Sequence, residues 1–182
     1  GVEAGGEGGR DGRGGDLCRA VRPAVGEWAG GVLALAWGRE LQLAMGESWG
    51  GEHLAGVLTG LPGGSNAFER GVVVYTAAAK NQVLQVNRAM LEQHGAVSEA
   101  VALALAEGAI AQSEADIVAA VTGFTEAGPH PGEAAGLVHF ASARRGRPAR
   151  HRVEHFGDIG RGRVRQGALE TAPRVMRDEI AR

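Results

Sequence analysis

Three side chains in this sequence have the types and positions to carry out nucleophilic chemistry. Ser48 stands in Glu47-Ser48-Trp49-Gly50-Gly51, between a short alternating apolar stretch and a segment of helical character. A serine there meets the free N–H groups and the positive dipole end of a helix, which favour developing negative charge. Gly50 and Gly51 let the main chain approach a substrate closely, so their N–H groups are candidates for an oxyanion hole. A serine needs a base to attack at neutral pH, and a desolvated lysine can supply one. Lys80 is the only lysine among 19 Lys and Arg residues, and Tyr75, five positions earlier, is the only tyrosine. Lysine gives up its proton when buried and arginine does not, so a lone lysine in an arginine background marks a candidate base. Each residue alone has a plainer reading: Ser48 as a helix cap, Lys80 as a solvated side chain, Tyr75 as packing in a strand.

For these groups to meet, two strands must end on one edge of a sheet. Residues 41–45 alternate as a short strand, 47–51 form a turn, and 52–58 a helix closed by Gly60-Leu61-Pro62-Gly63-Gly64. Residues 71–76 (G-V-V-V-Y-T) are a β-branched run of the kind expected in a buried strand, and 77–84 and 88–94 read as short helices. Side by side in a parallel sheet, the two strands would open at their C-terminal ends into the crevice where such sheets bind ligands.

The remaining elements supply the layers around that sheet. Residues 17–29 are helical in character but interrupted at Pro23; Gly30-Gly31 weakens the continuation to a C-cap at Gly38. Ser98 caps a helix over 99–112 whose apolar face includes Val101, Leu105, Ala109 and Ile110. Residues 116–121 form a strand, 122–136 a Gly- and Pro-rich loop, 137–143 with 150–156 a hairpin, and 161–181 a final helix with a kink at Pro173. This alternation predicts a three-layer α/β/α domain with a mixed, mostly parallel sheet over residues 17–182. Residues 1–16, eight of them glycine, read as a flexible leader.

Composition narrows the function classes. A net charge of -2 excludes a uniformly basic nucleic-acid binder. Arg144, Arg145, Arg147, Arg150 and Arg152 form a local basic run, but without interleaved aromatics it reads as a solvated hairpin turn, and nucleic acid is not an expected partner. No apolar stretch approaches the ~18–20 residues a membrane span needs, so no membrane is expected either. The single cysteine, Cys18, rules out an internal disulfide and a cysteine-rich zinc site. His151 and His155 would share one strand face but lack an evident third ligand, so no metal is expected. A soluble, cytoplasmic protein is the resulting expectation.

Three segments together resemble the CinA C-terminal domain family: E-S-W-G-G at 47–51, P-G-G-S-N-A-F-E-R-G-V-V-V-Y-T-A-A-A-K at 62–80, and H-G-A-V-S-E at 94–99. The resemblance covers roughly residues 25–182 and is most specific in its middle section. The family includes nicotinamide-nucleotide amidases, which hydrolyse nicotinamide mononucleotide to nicotinate mononucleotide and ammonia. It implies Ser48 as nucleophile, Lys80 as its base, and Tyr75 as the group that holds Lys80 or relays the proton to ammonia. Gly50 and Gly51 would stabilise the oxyanion, and Gly123 and Arg161 would bind substrate, Arg161 as a candidate phosphate anchor. No cofactor or metal is implied; a small nucleotide substrate and a homo-oligomer are expected.

The departures from the family pattern surround this trio. The family's Cys-Thr after the serine is Trp49-Gly50, its second glycine is Glu52, and its Asn after the tyrosine segment is Ala77. Its Gly-Asp-Arg becomes Gly157-Asp158-Ile159-Gly160-Arg161, and the loop over 123–132 is rewritten. The alternative expectation is therefore a relative with lost or altered catalysis, acting as an interaction partner in competence or DNA-repair biology.

Overall fold

The structure, a computed structural model, describes residues 23–49 and 51–182, residues 51 and 52 in their main chain only. The expected leader, the start of the first expected helix and Gly50 lie outside the described residues. Helix α1 (Pro23–Gly38) runs unbroken through Gly26, Gly30 and Gly31. The expected interruption at Pro23 concerns the segment before it, which lies outside the described residues. Burial of Val25, Ala29, Val32, Leu33 and Ala36 along one stripe outweighs the glycines, each of which costs about 1 kcal/mol against alanine.

Five strands form one sheet in the order β2-β1-β3-β4-β5. They are β1 (Leu43–Glu47), β2 (Phe68–Val73), β3 (Ile117–Gly123), β4 (Leu137–Arg144) and β5 (Arg150–His155). β1 is parallel to both β2 and β3, and the β4–β5 hairpin joins antiparallel at β3. β4 alone therefore runs against the other strands. The side-by-side placement of β1 and β2 is the one the site requires.

The side chains of β1 and β3 alternate between two cores. Leu43, Met45, Ile117, Ala119 and Val121 pack with α1, α2 (Gly51–Gly60) and α7 (Arg161–Ile180). Ala44, Val118 and Ala120 pack with α4 (Ala77–Leu84), α5 (Arg88–His94) and α6 (Glu99–Ala111) on the other face. The period of two thus produces the three-layer α/β/α architecture. A one-turn helix, α3 (Gly64–Ala67), leads into β2.

The run expected to be a buried strand over 71–76 is corrected in place and in setting. β2 begins at Phe68 and ends at Val73, and it lies at the sheet edge with Val73 exposed. An apolar β-branched run has the same local preference in a central or an edge strand; its position follows from long-range pairing. The first strand likewise shifts from 41–45 to Leu43–Glu47, because Gln42 is drawn off to Asp116, whose carboxylate accepts its N–H at 2.8 Å. Helix α7 continues through Pro173, which is buried.

Candidate active site

Ladder hydrogen bonds continue past the end of β1 and hold the serine in place. The Ser48 N–H donates to the Val121 carbonyl at 3.1 Å, and the Val74 N–H donates to the Glu47 carbonyl at 2.7 Å. Ser48 is thereby pinned between the ends of β2 and β3, with its side chain buried. Strand alternation directs Glu47 toward Leu54, Ala168 and Ala172 on the α2/α7 side, so Ser48 faces the α4 side.

Helix α4 brings the lysine to it. Thr76 caps that helix, its hydroxyl accepting the Ala79 N–H at 3.0 Å, and Lys80 lies one turn in. Gly46 and Gly108 allow the approach of α4: a Cβ on Gly46 would lie 3.3 Å from Leu84, and one on Gly108 only 2.0 Å from the Leu84 carbonyl oxygen. Lys80 is wholly buried, and its Nζ donates to Ser48 Oγ at 2.9 Å and to the Val74 and Tyr75 carbonyls at 2.9 and 3.1 Å. Burial removes the water that would solvate an ammonium and lowers the Lys80 pKa from 10.5 to about 8.

That geometry suits either protonation state. An ammonium has a donor for each of the three oxygens. A neutral amine keeps its two N–H bonds on the carbonyls and turns its lone pair to Ser48, ready to accept the hydroxyl proton. The carbonyls cannot take up that proton themselves, so they orient the lone pair without competing for it.

The other sequence-predicted residues fall around this pair unequally. Tyr75 meets Lys80 through its main-chain carbonyl; its ring is 68% exposed and no hydrogen bond joins its phenol to Lys80. It lines a cleft of about 240 Å³ together with Ser48, Trp49, Val73, Thr125, Arg161 and Arg165. Arg161, at the start of α7, lies 3.4 Å from Glu126 at the surface. Arg165, one turn further, places its guanidinium 2.9 Å from His53 Nδ1. Gly51 is the first residue of α2. Gly123 is not a cleft residue: its carbonyl accepts the Trp49 indole N–H at 2.5 Å, and a Cβ there would lie 2.9 Å from the indole ring. The glycine makes room for the tryptophan that forms the cleft wall.

Sequence reasoning missed the Val74 and Tyr75 carbonyls, Trp49 as a tethered wall, and Arg165, Thr125 and Val73 as lining. Main-chain acceptors carry no residue signature. Arg165 sits four positions after Arg161, the helical spacing that could have flagged it.

Arg145, Arg147, Arg150 and Arg152 of the basic run are exposed, as in a solvated hairpin turn, and two of the run also bind main-chain carbonyls. Arg145 donates to the carbonyls of Ile110, Ser113 and Ala115, and Arg144 to that of Glu179. His151 does not face a metal partner set with His155; its Nε2 lies 2.9 Å from His139 Nδ1. Among the described residues no group of three or more His, Cys, Asp or Glu is arranged to hold a metal, and no helix is long and apolar enough to cross a membrane.

Fold and site together define a three-layer α/β domain with a buried lysine–serine pair where its parallel strands end. The CinA C-terminal domain model matches residues 27–180, and the chain belongs to that family. The crystal structure of the competence/damage inducible protein CihA from Agrobacterium tumefaciens superposes with a TM-score of 0.84 at 33% identity, covering 89% of this chain and 98% of that one. A competence-damaged protein (CinA) superfamily protein from Escherichia coli gives 0.81 at 29% identity, covering 85% and 90%. A CinA-like protein of Parasynechococcus marenigrum is 44% identical over 140 residues, 74% of this chain and 32% of that protein. Another, from Anaeromyxobacter dehalogenans, is 40% identical over 147 residues, 80% of this chain and 36% of that protein. The chain thus spans less than half the length of these curated relatives.

Proposed function

We propose that this domain is an amidohydrolase that uses Ser48 and Lys80 to hydrolyse the carboxamide of a pyridine nucleotide, nicotinamide mononucleotide in the first instance. The observation that carries this reading is the 2.9 Å contact between Ser48 Oγ and the Nζ of a wholly buried lysine whose pKa is lowered to about 8. Neutral Lys80 takes the hydroxyl proton as Ser48 Oγ bonds to the carboxamide carbon. The oxyanion faces the opening turn of α2, where the Gly51 N–H is an available donor. Collapse of the tetrahedral intermediate breaks the C–N bond, and the proton held by Lys80 leaves on the amine as ammonia. Water, deprotonated by the same lysine, then hydrolyses the acyl-serine and returns the free carboxylate and Ser48. Arg161 and Arg165 supply positive charge on the cleft wall for an anionic substrate.

The direct test is ammonia and nicotinate mononucleotide release from nicotinamide mononucleotide by the purified chain. Lys80→Arg keeps the charge but cannot accept a proton, so turnover should fall by about 10²–10⁴-fold, the usual worth of a general base. Because a guanidinium is bulkier than the buried ammonium, Lys80→Met provides a second variant with the same expected loss. Turnover undiminished in both would defeat the mechanism. A folded wild-type chain that releases no ammonia would defeat the activity.

A further inference from the structure

Trp49 directly follows Ser48 and holds one wall of the cleft in a fixed position. It packs partly buried against the core that includes Leu54, Val121, Ala168 and Ala172, and its remaining surface lines the cleft. The indole N–H on the Gly123 carbonyl fixes the rotation of the ring, and the missing Cβ of Gly123 leaves it room. Tyr75, the other aromatic residue of the cleft, is mostly exposed. Side-chain charge in this cleft has one sign. Among the described residues that line it, Arg161 and Arg165 are cationic and none is an acid.

We propose that Trp49 is a specificity-determining residue of this site, its indole face taking the ring of an N-alkylated, positively charged pyridine carboxamide that also carries an anionic group. The inference rests on the amidase reading above and adds which part of the substrate the cleft distinguishes. A cationic ring meets no carboxylate among the described lining, and the two arginines repel it. An aromatic face offers it instead the negative side of the ring quadrupole. The same arginines attract the anionic group. One molecule with separated opposite charges therefore satisfies both walls, its ring on Trp49 and its anion toward Arg161 and Arg165.

Adjacency in sequence sets the order of these contacts. Consecutive Cα atoms are about 3.8 Å apart, so a ring whose carboxamide meets Ser48 Oγ lies within reach of the next side chain. The arginines come from α7, a distant segment, and take the far end of the molecule. A tethered indole loses little freedom when a ring settles on it, which sets Trp49 apart from the exposed Tyr75. Exchange of the family's cysteine for Trp49 thus adds a binding face beside the nucleophile.

The test is binding to a Ser48→Ala chain, which keeps the cleft but cannot form an acyl-serine. The probes are nicotinamide mononucleotide and the 5′-monophosphate of benzamide riboside, which has the same carboxamide, ribose and phosphate on an uncharged ring. Adding Trp49→Leu should cut the preference for the charged ring about three- to thirtyfold, the range of a cation–π contact. Trp49→Phe keeps an aromatic face and should restore most of that preference. A wall with only a structural role would lower both affinities alike and leave their ratio unchanged. Nicotinamide mononucleotide should also quench tryptophan emission saturably and add a charge-transfer absorption band, because an electron-rich indole donates to a pyridinium. Trp49→Phe should abolish both signals. Trp28 already faces the Arg174 and Arg177 guanidinium groups, 4.6 and 4.7 Å from its ring, and Trp37 is exposed on α1, so Trp37→Phe should leave both signals intact. An unchanged ratio in Trp49→Leu, signals that survive in Trp49→Phe, or no binding of nicotinamide mononucleotide would each overturn the proposal. Binding does not depend on turnover. Discrimination by Trp49 in a protein that releases no ammonia would support this contact while defeating the amidase, and ammonia release with an unchanged ratio would do the reverse.

Discussion

The Val74 carbonyl oxygen and Lys80 Nζ lie 2.9 Å apart, which closes the strand end of β2 over the first turn of α4. This contact orients the lysine by a neutral acceptor. A carboxylate in the same place would hold the ammonium and raise its pKa, whereas a carbonyl leaves burial to dominate and the pKa falls to about 8. Turnover of nicotinamide mononucleotide should therefore rise with pH through a midpoint near 8 in kcat/KM and level off above it, as neutral Lys80 accumulates. Tyr75→Phe keeps the carbonyl that holds Lys80, so the midpoint should stay where it is in that variant even if the rate changes. A midpoint displaced by a full pH unit in Tyr75→Phe would show that the phenol controls the lysine.

The same burial makes a stability prediction of definite sign. In the unfolded chain Lys80 titrates near 10.5, and in the folded chain near 8. Below pH 8 both states bind the proton, and the folded state bears the full cost of a buried ammonium. Between pH 8 and 10.5 the unfolded state binds more protons, so stability rises with pH by up to roughly 3 kcal/mol. Lys80→Met removes this dependence. The difference in unfolding free energy between wild type and Lys80→Met, from urea titrations at pH 7 and pH 10, should move in favour of wild type at the higher pH. A difference that is flat or moves the other way would contradict a depressed Lys80.

Trp49 and Gly123 form a second testable pair. A Cβ on residue 123 would stand 2.9 Å from the Trp49 ring, the Leu137 carbonyl and a Val138 methyl. Gly123→Ala should cost about 1–3 kcal/mol, the usual range for overpacking. In a Trp49→Cys background one of the three obstructions is gone, so the same alanine should cost less, and a thermal-melt double-mutant cycle would read the coupling. Strict additivity would mean that the indole does not pack on Gly123.

Much of this architecture was legible in local sequence, and the exceptions share a cause. Helices α4 and α5 stand where their caps put them: Thr76 accepts the Ala79 N–H, Asn87 accepts the Ala89 N–H, and Gly95 ends α5 with φ 74°. Ser48 and Lys80 were visible because one is followed by glycines and the other is a lone lysine. What local sequence did not reveal depends on contacts between distant segments. That β2 is an edge follows from which strands β1 accepts as neighbours. That Gly30 and Gly31 do not break α1 follows from a buried stripe whose partners lie largely on α7. The Trp49 tether joins residues 74 positions apart. The carbonyls on Lys80 belong to residues whose side chains give no hint of the role.

Two glycines on different helices should respond to alanine in opposite directions. Gly30, inside α1, has no heavy atom within 4 Å of where a Cβ would be, so Gly30→Ala gains helix propensity without obstruction. It should stabilise the chain by about 0.5–1 kcal/mol and leave turnover unchanged. Gly108, inside α6, has the Leu84 carbonyl oxygen 2.0 Å from the same construction. The obstruction is main chain, which cannot rotate aside, so α6 and the end of α4 must separate. Overpacking should outweigh the gain in propensity and leave Gly108→Ala less stable by at least about 1 kcal/mol. Lys80 lies one turn before Leu84 on that helix, and its own carbonyl accepts the Val86 N–H at 3.1 Å, so a displaced helix end carries the lysine with it. Gly108→Ala should therefore also lower kcat on nicotinamide mononucleotide, although it touches no substrate. Urea midpoints and kcat measured on both variants check this together. A Gly108→Ala chain as stable and as active as wild type would show that α4 is not held against α6 by that close approach.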